Sequence, residues 1–218
     1  IPGDLVSNFH VWVKEIPHIV AMTMINEKGV IELSVYDGKY KDWMDYEQNY
    51  AQLDAFKSLH DNLDQQLFIG PYVSKAPNAP KDIILAARRI NKLDGSFGGI
   101  VMAAVKSEYF LDFFASIDLG TRRGMSILRN DGVNLLGDMR HERYSKELVE
   151  ALKSDIMSAK DDESGKVSVH TVDKRIEVLA SQKLKKLPLI ISVAIDEADF
   201  LKPFWRDRFK DLSFLAIF

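Results

Sequence analysis

The chain has 218 residues, 46% apolar and 28% charged, enough to build one large core or two domains of about 100 residues. A net charge of −3 with no long Lys/Arg run argues against a reader of nucleic-acid phosphates, and Lys183, Lys185 and Lys186 read as a solvated turn. With no cysteine, disulfide scaffolds, thiolate metal sites and cysteine nucleophiles are excluded, and the compartment stays open.

In chain order, residues 4–16 place Leu5, Phe9, Trp12 and Ile16 on one helical face, and Pro17 ends that helix. "HIVAMTMINEKGVIELSVY" reads as two strands around a turn at Glu27–Lys28–Gly29. Residues 37–50 are irregular, polar and aromatic, and a short helix follows at 51–61. The strand "LFIG" runs into a loop holding Pro71, Pro77 and Pro80. A strand at 82–91, a turn at Leu93–Asp94–Gly95, a strand at 98–105 and a helix from Ser107 complete the first half.

The second half repeats the plan. "AMTMINEKGVIELS" (21–34) lies without a gap over "GMSILRNDGVNLLG" (124–137), and "VMAAVKSEYFLDFF" (101–114) over "ISVAIDEADFLKPF" (191–204). Gly29 and Gly132 stand where a tight hairpin wants a positive φ. The first half is longer by 13 residues between the matched segments, and extra irregular structure beside strands commonly builds a pocket. Between the hairpins of the second half, 143–160 is amphipathic with Leu148, Leu152 and Ile156 on one face, and 160–166 is a solvated loop. A hairpin turns at Val172–Asp173–Lys174, and "LPLIISVAID" carries the strongest strand signal. About five antiparallel strands per half, with helices on a face, predict an α+β fold of two tandem modules.

Catalytic and metal motifs do not stand out. His10, His18, His60, His141 and His170 are scattered without a ligand spacing, and the carboxylates of 60–64 and 161–163 lack a calcium-loop pattern. "GSFGG" (95–99) lies between strands rather than ahead of a helix, so it does not present amides to a phosphate. The aromatic cluster is more informative. Tyr36, Tyr40, Trp43, Tyr46 and Tyr50 fall within fifteen residues. They either cover a sheet edge or, with Tyr72, line a small-molecule pocket. Arg88 and Arg89 are neighbours on a strand and so face opposite ways; one could anchor an anion, and the sequence leaves open which.

The stretch "IGPYVSKAPNAPKDIILAARRINKLDGSFGGIVMAAVKSEYFLDFFASIDLG", followed by "ILRNDGVNLL", resembles the double Cache (PAS-like) sensor domains of bacterial transmembrane receptors. The matching features are Arg88-Arg89-Ile90, Asp94-Gly95-Ser96-Phe97-Gly98-Gly99-Ile100-Val101, Tyr109-Phe110, Leu119-Gly120 and Asp131-Gly132, in that order. The resemblance implies the periplasmic part of an inner-membrane receptor with a cyclase, histidine kinase or chemoreceptor output. It divides the chain into the end of an N-terminal helix (1–16), a membrane-distal ligand-binding module (17–118), a membrane-proximal module (119–200) and a C-terminal helix leading to a membrane segment (201–218). "IPGDLV" and the apolar end "LSFLAIF" fit a piece of something longer.

The candidate ligand-binding residues are Trp43, Tyr46, Tyr50, Phe56, Tyr72 and Arg89, with no catalytic residue, no metal and no cofactor. Partners would be an unknown small molecule and a second copy of the chain, with no nucleic acid. Two departures bear on the ligand. Where the family often has Asp-Arg-Glu-Tyr-Phe, this chain has Gln52-Leu53-Asp54-Ala55-Phe56, so Leu53 replaces the Arg that holds a ligand carboxylate. Ala104 or a neighbour stands where amino-acid-binding members carry an Asp for the ligand amine. A less polar ligand is expected, or a ligand-free module signalling through dimerisation or a periplasmic partner protein.

Overall fold

The structure, a computed structural model, describes residues 3–38, 49–72, 82–117, 123–138, 154, 166–172, 175–199 and 201–202. The expected helix at 143–160, its neighbouring loop and the turn residues 173–174 lie outside these, apart from Ser154. The chain divides into two compact units, Ile1–Phe110 and Leu111–Phe218.

In the first unit, helix α1 (Gly3–Glu15) stops ahead of Pro17, which cannot donate the next helical hydrogen bond. Strands β1 (Ile19–Asn26) and β2 (Ile31–Tyr36) form the first hairpin, and Gly29 takes φ +81° in its turn. A 3-10 turn at Tyr50–Gln52 leads into helix α2 (Asp54–Asp61). Strands β3 (Leu67–Tyr72), β4 (Ile83–Asn91) and β5 (Phe97–Lys106) follow, then helix α3 (Glu108–Ser116), which spans the division between the units. The sheet order is β2-β1-β5-β4-β3, antiparallel throughout. In the second unit β6 (Arg123–Arg129), β7 (Asn134–Asp138), β8 (Lys166–Val172), β9 (Arg175–Lys183) and β10 (Leu189–Asp196) pair in the order β7-β6-β10-β9-β8. This is the same order counted from each unit's first strand. The repeat read in the letters is therefore a repeat of topology, and Gly132 takes φ +85° where Gly29 takes +81°.

The two faces of the first sheet are covered by different helices. Alternation along each strand sends successive side chains to opposite faces. Met22, Val35, Leu33, Val101 and Ala103 pack with Phe9 and Val13 of α1. Ala21, Ile25, Leu85, Ile100, Met102 and Ala104 pack with Ala55, Phe56 and Leu59 of α2. Contrary to the helical face expected from the sequence, Trp12 is 42% exposed, and Val13 is the buried residue instead. At 3.6 residues per turn, positions 12 and 13 flank the line through Phe9 by roughly 60° and 40° on opposite sides. Either could have continued the stripe, and the sheet takes the side carrying Val13.

Candidate functional site

The α2 face of the first sheet gathers most of the candidates that fall among the described residues. Tyr50 and Phe56 are buried in its apolar cluster, and Tyr36, Leu53 and Tyr72 pack against it. Local sequence puts them there. The Asn49 side chain accepts from the Ala51 amide at 2.8 Å, which caps the 3-10 turn and turns Tyr50 inward. Asp54 opens α2 with an acidic first turn, favourable at the positive helix end, and the 55-56-59 spacing lays Ala55, Phe56 and Leu59 on the sheet. Trp43 and Tyr46 lie outside the described residues.

Arg88 and Arg89 separate as strand geometry requires: Arg88 is exposed, whereas Arg89 is 8% exposed. The Arg89 guanidinium is committed to the protein. Nη1 donates to the carbonyl of Leu59 and, at 3.3 Å, to that of His60; Nε donates to Asn91 Oδ1 at 2.7 Å. Its Cζ sits 4.8 Å from the Phe97 ring centroid, and Phe97 meets Phe56 edge-on at 5.1 Å. A cation at the C-terminal carbonyls of a helix satisfies orphan acceptors and opposes the helix dipole. Arg89 thus ties α2 to the sheet.

Sequence reasoning missed two features. Thr23, 1% exposed, shares a 2.9 Å hydrogen bond with Ser34 beneath the apolar cluster. The signal was a polar residue at alternating positions of two apolar strands. The second was Asn49, whose Nδ2 donates to the Lys28 carbonyl at 3.1 Å while the Tyr50 amide donates to Gly29 O at 2.8 Å. These bonds fasten the far end of the irregular segment to the first hairpin turn. At the two positions where ionic anchors were expected to be absent, Leu53 and Ala104 both belong to or pack on this apolar cluster.

Among the described residues no group of His, Cys, Asp or Glu could hold a metal ion, and no helix is long and apolar enough to cross a membrane.

No protein-family model matches the chain, and no curated protein does. Solved structures do. The extracellular domain of rpHK1S-Z16, described as a histidine kinase, superposes with a TM-score of 0.68 at 20% identity, covering 92% of this chain and 80% of that one. The ligand-binding domain of the Pseudomonas aeruginosa PAO1 amino acid chemoreceptor PctB, in complex with L-Gln, gives 0.60 at 14% identity over 91% and 76%. That of the Pseudomonas fluorescens chemoreceptor CtaA, in complex with L-serine, gives 0.57 at 16% identity over 90% and 79%. The chain has the two-module fold of these sensor domains.

Proposed function

We propose that the chain is an extracytoplasmic sensing module of a transmembrane receptor, binding a small molecule on the α2 face of its first unit and performing no catalysis. The observation that carries this reading is the shared face of Tyr50, Phe56 and Tyr72, with Leu53 and Ala104 at the positions expected to recognise an amino acid. Such a face suits a ligand with aromatic or aliphatic surface and few charges. Trp43 and Tyr46 complete the proposed set. The second unit would couple the first to the membrane and to a cytoplasmic output. A ligand that prefers one arrangement of α2 tenfold supplies about 1.4 kcal/mol of bias.

The test is a thermal-shift screen against amino acids, carboxylates, purines and neutral aromatics. Binding to the native state alone raises the melting temperature by mass action, and Trp43→Ala or Tyr72→Ala should abolish the shift. A shift that persists in both variants sinks the pocket assignment.

A second reading has its own support, because Tyr50 and Phe56 are buried and Arg89 is committed to α2 carbonyls. On that reading the face is a structural core, and signalling runs through a dimer or a periplasmic partner protein. A ligand-independent dimer surviving dilution, with no compound raising the melting temperature, would favour it.

A further inference from the structure

A cleft of about 580 Å³ opens on the first unit where the C-terminal half of α1 meets the ends of β2 and β5. It differs in place and chemistry from the α2-side cluster. Its apolar wall is Val13, Pro17, Val35 and Tyr36, and Val13 and Val35 belong to the α1-side core. Among the described residues its charged groups are Lys14, Lys106 and Asp37, with His10 beside them. Among the described residues the lining carries two lysines and one carboxylate, an excess of positive charge in a chain whose net charge is −3. Overall composition therefore does not account for the excess, and a concave wall concentrates such a field.

The backbone around the cleft is fastened. The Asp37 amide donates to Val20 O at 2.9 Å, the Lys106 amide to His18 O at 2.9 Å, and the Ile19 amide to Ile16 O at 3.0 Å. Most of the wall thus rests on strand ends and a helix, and the volume lies in the range of small-molecule sites. Tyr36 lines the cleft and also packs against the α2-side cluster, so an occupant touches a residue shared by both faces of the sheet.

We propose that this cleft is a second ligand site, taking a small organic carboxylate with an apolar body. The carboxylate would lie between Lys14 and Lys106 and the body against Val13, Pro17 and Val35. Lysine supplies a point charge without a fixed fork, which suits an anion held near solvent. The proposal does not depend on the α2-face reading.

Titration of the isotope-labelled chain with benzoate, phenylacetate and hexanoate tests it, followed by backbone amide shifts. At least one should shift the amides of Val13, Val35 and Lys106 together, with saturation. Benzyl alcohol and inorganic phosphate, each carrying half of the chemistry, should bind at least tenfold more weakly. Lys14 is exposed, so Lys14→Glu leaves the fold intact and should weaken the carboxylate at least tenfold; Lys106→Gln should act in the same direction. No shift with any of the three carboxylates overturns the proposal. Shifts centred on Phe56 and Leu85, or affinity unchanged in Lys14→Glu, overturn it equally.

Discussion

The Arg89 guanidinium on β4 donates to the carbonyl of Leu59 in the last turn of α2, thirty residues earlier in the chain. Its strand neighbour Arg88 is exposed. Two adjacent arginines therefore have unrelated stability roles. Arg89→Ala should destabilise the chain by about 2 to 3 kcal/mol, since a buried charged donor is lost and helix carbonyls are stranded. Arg88→Ala should stay within about 0.5 kcal/mol. Urea unfolding of both variants checks this, and equal losses would refute the assignment.

Gly29 and Gly95 both occupy hairpin turns at φ near +80°, at +81° and +82°. Their surroundings differ. A Cβ on Gly29 would stand 2.8 Å from the Ala51 methyl and closer still to Ala51 N and Asn49 Oδ1, whereas a Cβ on Gly95 meets nothing within 4 Å. Gly95→Ala should cost only the left-handed backbone strain, about 1 to 2 kcal/mol. Gly29→Ala should cost roughly 1 to 3 kcal/mol more, through overpacking of the turn that anchors Asn49 and Tyr50. Matched melting curves measure the difference.

Arg129 ends β6 and Asp131 lies in the turn of the second-unit hairpin. The Arg129 guanidinium donates to both carboxylate oxygens at 2.6 to 2.9 Å and holds the Asp131 pKa below its ordinary value; the Val133 amide adds to the effect. A pKa lower in the folded than in the unfolded state contributes stability above the unfolded value, near about 4. That contribution is lost as pH falls through the lowered pKa. Asp131→Asn should therefore flatten the acid side of the stability profile below about pH 4. The carboxylate is 54% exposed, so the effect should be small and weaken in salt. A variant whose acid limb matches the parent's would contradict it.

The buried hydroxyls of the two units make a paired comparison. Thr23 pairs in register with Ser34 and shares its hydrogen bond. Ser126, the residue that the repeat lays over Thr23, pairs with Ser192 of β10, and Ser192 pairs on its other side with Ser181. Among the described residues the buried Ser192 Oγ has no hydrogen-bond partner. Thr23→Val should cost about 1 kcal/mol by stranding a partner. Ser192→Ala should be neutral or stabilising, because a buried hydroxyl without a partner carries a desolvation cost. A loss from Ser192→Ala as large as that from Thr23→Val would show that Ser192 is satisfied in solution.

Much of the architecture was legible in the letters, for local reasons. Pro17 ends α1 because it cannot donate, and Gly29 and Gly132 mark turns that need positive φ. Alternation announced the strands, and an ungapped internal match announced that the second half repeats the plan of the first; the common strand order came from the structure. These signals span only a few neighbours along the chain, so one sequence carries them whole. The aromatic set was legible as a composition, and Tyr50, Phe56 and Tyr72 do share one cluster.

What the sequence could not decide were choices between equivalent neighbours, each made by a surface distant in the chain. Trp12 and Val13 sit almost symmetrically beside Phe9, and the sheet selected Val13. Arg88 and Arg89 differ by one position, and α2 on one face selected Arg89. The cleft of Lys14 and Lys106 joins residues ninety-two positions apart and leaves no trace in any local pattern. Periodicity determines which residues alternate; only the packing of one element on another determines which of the alternating sets is inside, because burial is a property of the pair of surfaces.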